Sequence, residues 1–163
     1  MTGRWLDTVE MNELMNFIIE SNKIEGILRY PTDKEIKEAG RFLSLKEVTV
    51  DDLVQFVSVY QPNAVLRDNY NVSGVRVGKH IAPMSSPEIK VNLQLLLDKV
   101  NDWEFYGTNN SWQTHVEYET LHPFTDGNGR SGRMLWAWQQ RDLALGFLHA
   151  FYYQTLDNSQ GGD

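Results

Sequence analysis

Cysteine is absent from the 163 residues, which removes disulfides and thiolate metal sites and leaves the redox compartment open. No run of lysines or arginines occurs, and the net charge is −7, so nucleic acid is not an expected partner. Long apolar runs are missing as well. No stretch approaches the ~20 residues that cross a bilayer, and the start, Met1-Thr2-Gly3-Arg4-Trp5-Leu6-Asp7, has no apolar signal core. These absences give the expectation of a cytoplasmic protein without membrane contact. Repeats, linkers and low-complexity tracts are absent too. What remains is an ordinary balance, 41% hydrophobic and 23% charged, in a chain long enough for one domain over residues 1–163 with a core of its own.

Most of the chain reads as helix. Residues 8–24 carry Val9, Met11, Leu14, Met15, Ile18 and Ile19 at amphipathic spacing. Ser21 and Glu25 follow on one face, four apart, and Gly26 is a stop signal. Thr32-Asp33-Lys34-Glu35 has the form of a capping box and opens a helix to about Leu43. Thr49-Val50-Asp51-Asp52 opens another, which Pro62 ends. Both read as scaffold. Ser86-Pro87-Glu88 combines a cap with proline at the first helical position, and Val91, Leu93, Leu95, Leu96 and Val100 should face the core. Residues 103–110 read as a loop and 111–121 as a helix whose His115, Glu117 and Glu119 are expected at the surface or rim. The exception to helix is 64–83, where Val72, Val75, Val77 and Ile81 with Gly74 and Gly78 suggest two short strands and a turn. His80 within it reads as structural, since no second His or Cys stands at ligand spacing. The tail from Asp157 is polar and expected to fray.

Residues 122–133, His-Pro-Phe-Thr-Asp-Gly-Asn-Gly-Arg-Ser-Gly-Arg, carry the chemistry. A glycine-rich turn that opens a helix offers free N–H groups and the positive end of a dipole to an anion. Gly127 and Gly129 let the backbone form a nest of donors around Asn128. Arg130 and Arg133 add planar forks suited to phosphate. Asp126 is placed to hold Mg²⁺, which takes one or two carboxylates plus phosphate oxygens. His122 is the natural proton acceptor, because imidazole titrates near neutrality. Each residue alone could belong to a capping turn; together they read as a Mg-nucleotide site beside a general base.

The run resembles the signature of the Fic family, H-P-F-x-[D/E]-G-N-G-R-x-x-R, with every fixed position present. The resemblance implies a mainly α fold: a compact helical core, over about 66–145, with a short β-hairpin flap. It implies AMP transfer from ATP, with Mg²⁺, to a Ser, Thr or Tyr hydroxyl of a target protein, and self-modification where the chain is its own target. By position, His122 matches the base and Phe124 the residue that anchors the loop in the core. Asp126 matches the metal ligand. Gly127, Asn128 and Gly129 match the anion hole, and Arg130 and Arg133 the phosphate-binding arginines. Val75, Arg76 and Val77 fall in the flap, which docks the target by strand addition, and Arg67 fits the Leu-Arg that precedes it. Ser21-x-x-x-Glu25-Gly26 resembles the inhibitory motif of members whose regulatory helix is N-terminal, here residues 1–30; in those the Glu pairs with the second arginine, Arg133.

The helix beyond Arg133 is expected to run from Met134 to about Leu145, with Trp136 and Trp138 packed in the core or stacked on adenine. Removal of AMP from a modified protein at the same site is one alternative activity. A nucleotide-sensing interaction module with vestigial turnover is another, and the sequence leaves homo-oligomer formation open.

Overall fold

The computed structural model describes residues 9–74, 76, 77, 80–102, 111–143 and 148. Within them the fold is mainly α. The six helices of the described residues are α1 (Met11–Ile24), α2 (Asp33–Leu43), α3 (Val50–Tyr60), α4 (Pro87–Asn101), α5 (Ser111–Leu121) and α6 (Asn128–Gln140). None is long and apolar enough to cross a membrane.

Local chemistry sets most of the boundaries. At α2 the Thr32 hydroxyl accepts from Glu35 N (3.1 Å) while Glu35 Oε1 accepts from Thr32 N (2.8 Å), the reciprocal pair the sequence announces. Thr49 and Asp52 repeat it at α3, and Ser86 caps α4 ahead of Pro87. At the other end of α1, Gly26 takes φ +77°, a conformation a side chain resists. Its N–H donates to Lys23 O (2.9 Å) and that of Ile27 to Asn22 O (3.0 Å), so the helix closes in a Schellman turn with Glu25 as its C-cap.

Helix α6 departs from expectation. It stops at Gln140, short of Leu145, because Arg141 turns left-handed (φ 55°, ψ 46°) while its N–H still reaches Ala137 O. Residues 144–147, the 103–110 loop and the tail lie outside the described residues. Where the hairpin flap is expected, the described residues show no more than a two-residue antiparallel ladder, β1 (Arg76–Val77) against β2 (His80–Ile81), in register Arg76↔Ile81 and Val77↔His80. Val75 is outside the described residues.

The core gathers Phe17 and Ile18 of α1, Phe42 of α2, Leu53 and Phe56 of α3, and Leu93 and Leu97 of α4. Tyr118 of α5, Phe124, and Leu135, Trp136 and Trp138 of α6 complete it. Trp138 Nε1 donates to Leu45 O (2.9 Å), so this indole is fixed in the interior.

One residue joins the scaffold to the chain between α5 and α6. Arg67 is fully buried; its guanidinium donates to Leu121 O (2.8 Å), His122 O (2.8 Å), Pro83 O (2.7 Å) and Ser85 Oγ (3.2 Å). Its backbone N–H adds a bond to Pro123 O (2.9 Å). Thr125 N donates to Val65 O (2.9 Å), and Leu66 bridges Phe124. Residues 65–67 thus line up beside 123–125 like one rung of sheet.

Arg67→Met should remove these donors and leave the carbonyls of Leu121, His122 and Pro83 without them, the first buried and the other two partly so, at about 1–3 kcal/mol for each group left desolvated. Urea denaturation should show a loss of at least about 3 kcal/mol; a loss under about 1 kcal/mol would contradict the role given to this residue.

Candidate active site

Helix α5 ends where His122 takes φ 50°, in the left-handed region that a non-glycine residue seldom adopts. Arg67 holds the two carbonyls that flank this turn, and Phe124, 1% exposed, drives into the core just beyond. The Asn128 side chain then clasps the loop from within: Phe124 N donates to its Oδ1 (2.9 Å) and its Nδ2 donates to Phe124 O (2.8 Å). Asn128 side-chain atoms therefore shape the loop; any direct part in holding an anion falls to its backbone N–H. Gly127 caps α6 in the left-handed region (φ +79°), and Asp126 Oδ1 accepts from its N–H (2.8 Å). A second layer braces the turn. Ser131 Oγ donates to Gly127 O (2.8 Å), which leaves the buried Tyr118 hydroxyl to donate to Ser131 Oγ (2.7 Å). Burial pushes that phenol well above its ordinary range, so it stays a donor.

The two arginines of α6 are both buried and differently engaged. Arg133 Nε donates to Ser21 Oγ (2.9 Å), and its Nη2 to Ser21 O (3.0 Å) and to Glu25 Oε1 (2.9 Å). Glu25 lies so close over Gly129 that a Cβ there would collide with Oε1. A carboxylate of the chain itself therefore sits at the first turn of α6, on the arginine. Arg130 turns the other way, to the end of α3: its Nη1 donates to Tyr60 O (2.9 Å) and Nη2 to Gln61 Oε1 (2.6 Å).

Helix α5 adds two groups expected at the rim. His115 is buried instead, 4% exposed, because α6 packs over it. Burial, with Arg133 nearby, lowers its pKa to about 3, so the ring is neutral near pH 7. Glu119 lies 3.5 Å from His115 Nε2 and its Oε1 packs against Gly132. Burial pushes its carboxyl up to about 7, Arg133 opposes this and Glu25 reinforces it, while 34% of the side chain still meets solvent.

Sequence reading brings together much of what the structure brings together: His122, Phe124 and residues 126–129 in one braced loop, and Ser21 and Glu25 on Arg133. It missed Tyr60 and Gln61, at the end of a helix read as scaffold, and the four-point role of Arg67. The signal for Arg67 was an arginine inside an apolar, strand-like stretch. The flap residues Arg76 and Val77 are described by backbone alone. No cluster of three or more metal-ligating side chains occurs among the described residues. The exposed Asp126 carboxylate still suits Mg²⁺, which needs little from the protein when phosphate oxygens supply the rest.

The family model described as "Fic/DOC family" matches residues 38–139, more than half of the chain. The chain belongs to the Fic/DOC family. It is also similar to "Protein adenylyltransferase Fic" of Nematostella vectensis, at 27% identity over 129 residues, covering 72% of this chain. The chain spans only 28% of that relative's length. The Fic/DOC match begins within α2, at residue 38, so the second half of α2 and all of α3 belong to it together with the braced loop.

The ionisation of Glu119 has a testable sign. Its folded pKa, about 7, lies above the ~4.3 of a free glutamate. Its contribution to stability is full below the unfolded value and is lost as pH rises through about 7. Glu119→Gln keeps the neutral form at every pH. Its melting temperature should match the wild type near about pH 4 and exceed it near about pH 8; a gap independent of pH is the contrary result.

Proposed function

We propose that this protein transfers AMP from ATP to a Ser, Thr or Tyr hydroxyl of a target protein, restrained by its own α1. The observation that carries the reading is the Glu25 carboxylate lying on Arg133 and against Gly129. The start of α6 already holds an anion. An anionic ligand of the same place, beside a fixed histidine, is what a nucleotide polyphosphate would be, and the family and its adenylyltransferase relative support that choice.

In this reading His122 takes the hydroxyl proton, the hydroxyl oxygen bonds to the α-phosphorus, and the α–β bridging P–O bond breaks to release pyrophosphate. Charge on the phosphates is met by the N–H groups of 127–129 and by Arg130 and Arg133. Asp126 would hold Mg²⁺, which when bound supplies charge neutralisation along the polyphosphate. The β1–β2 ladder would offer backbone donors and acceptors to an extended target segment. Ser21 and Glu25 restrain the reaction by occupying the Arg133 guanidinium and setting negative charge beside a polyanion.

The test is incubation of the protein with a cell lysate and ATP labelled at the α-phosphate. His122→Ala should lose about 10²–10⁴ in labelling rate while Mg-ATP affinity, by calorimetry, stays within about twofold. Equal labelling by wild type and variant would sink the assignment of the base.

Glu25→Gly should raise labelling at least about tenfold, since a charge-assisted hydrogen bond of this kind is worth ~1.5–3 kcal/mol. Adding Arg133→Ala should abolish the gain, because the freed guanidinium is its cause. If Glu25→Gly labels no faster but fails to remove AMP from a modified protein, the reaction runs in the removing direction with Glu25 as a participant.

A further inference from the structure

Arg130 is 4% exposed, yet no carboxylate pairs with it among the described residues. A buried guanidinium ordinarily takes an acidic partner, because a desolvated charge left uncompensated is costly. Here both partners are neutral acceptors, Tyr60 O at 2.9 Å and Gln61 Oε1 at 2.6 Å, and the Nε atom has none. The Tyr60 ring adds a face 6.0 Å from the guanidinium carbon. Burial disfavours the Arg130 charge; Glu25, Asp126 and Glu35 favour it from a distance without a hydrogen bond, and Arg133 opposes it.

Gln61 sits where this matters. It is the residue that ends α3, fixed by its N–H to Val57 O (2.7 Å) and by its carbonyl, which accepts from Ala64 N (2.9 Å). Its Cβ lies 3.3 Å from the place a side chain on Gly127 would occupy. One side chain thus touches both the left-handed cap of α6 and the arginine one turn later. A glutamate would fit the same space and reach the same nitrogen.

We propose that Gln61 is a positioning residue for anion binding: its neutral amide oxygen fixes the Arg130 fork beside the start of α6 without neutralising it, so the charge remains for a ligand phosphate. This rests on the nucleotide reading above. The neutrality of the side chain is the functional property, and its hydrogen bond is the means. Arg133 differs, because its charge is held by Glu25 until that contact opens.

The two failures separate in one experiment on the full chain. Calorimetry would give Kd for Mg-ATP and for inorganic pyrophosphate, and thermal melts the stability, for wild type, Gln61→Glu, Arg130→Ala and the double variant, and for Glu25→Gly. Gln61→Glu should weaken both ligands at least about tenfold, since it supplies Arg130 with a charge-assisted partner. The same pair should raise Tm by about 2–4 °C. In the Arg130→Ala background the added Gln61→Glu change should move Kd less than about twofold. Affinity down with stability up is a signature that a scaffold contact cannot give. Unchanged Kd in Gln61→Glu overturns the proposal, and so does a lower Tm accompanying weaker binding. If neither wild type nor Glu25→Gly binds either ligand, the nucleotide reading falls and the proposal with it, whereas a wild type that binds and a Gln61→Glu variant that binds equally removes only the role of Gln61.

Discussion

The buried guanidinium of Arg67 is the contact on which the loop between α5 and α6 depends. The last carbonyls of a helix have no partner inside it, and those of Leu121 and His122 would otherwise face the interior beside Phe124. Arg67 satisfies both and ties them to Pro83 and Ser85 ahead of α4. Burial disfavours its own charge, so the cation is tolerable only with all three of its nitrogens engaged. The left-handed turn at His122, which costs ~1–2 kcal/mol for a residue with a Cβ, is held inside this frame. The Asn128 clasp and the Tyr118–Ser131–Gly127 chain brace the next five residues in the same manner, so the loop is overdetermined. That is the condition for presenting side chains at fixed positions.

What could be read from sequence was what is encoded locally. The capping pairs at Thr32 and Thr49, the Ser86-Pro87 start and the Gly26 stop each involve residues within a few positions of one another, and each appears in place. The motif itself is a local pattern. What escaped was long-range. Arg67 reaches carbonyls some 55 positions away and Arg130 one about 70 positions away, and a backbone acceptor carries no residue identity to recognise. His115 looked like a rim group because a lone polar residue on a helix is usually solvated; its burial follows from how closely α6 lies on α5 around Gly132 and Ser131. The end of α6 at Arg141 was missed for another reason: arginine gives no warning of a left-handed conformation.

Arg130 and Arg133 show how one helix face divides two similar side chains. Residues three apart on an α-helix are offset by about 60° around the axis, enough for Arg130 to lean on the end of α3 and Arg133 on α1. One receives neutral acceptors and the other a carboxylate. Any event that moves α1 or Glu25 therefore breaks a charge-assisted hydrogen bond of one arginine and leaves the hydrogen bonds of the other as they are.

Magnitudes decide which of those events is accessible. Helix α1 buries Leu14, Phe17 and Ile18, and side chains of this kind contribute ~1.5–3 kcal/mol each when withdrawn from water, together roughly 5–9 kcal/mol. Ser21, 5% exposed, adds its two contacts with Arg133. Undocking the helix would forfeit all of this. The Glu25 side chain, by contrast, is 40% exposed at the helix end, next to a glycine, and gives up one charge-assisted hydrogen bond if it rotates toward solvent. That bond is worth ~1.5–3 kcal/mol before water replaces it. Arg133 would keep its bonds to Ser21 throughout, so the guanidinium stays oriented while its charge becomes available. Rotation of a single side chain on a docked helix, and not departure of the helix, is the lower-energy way to open this end of α6.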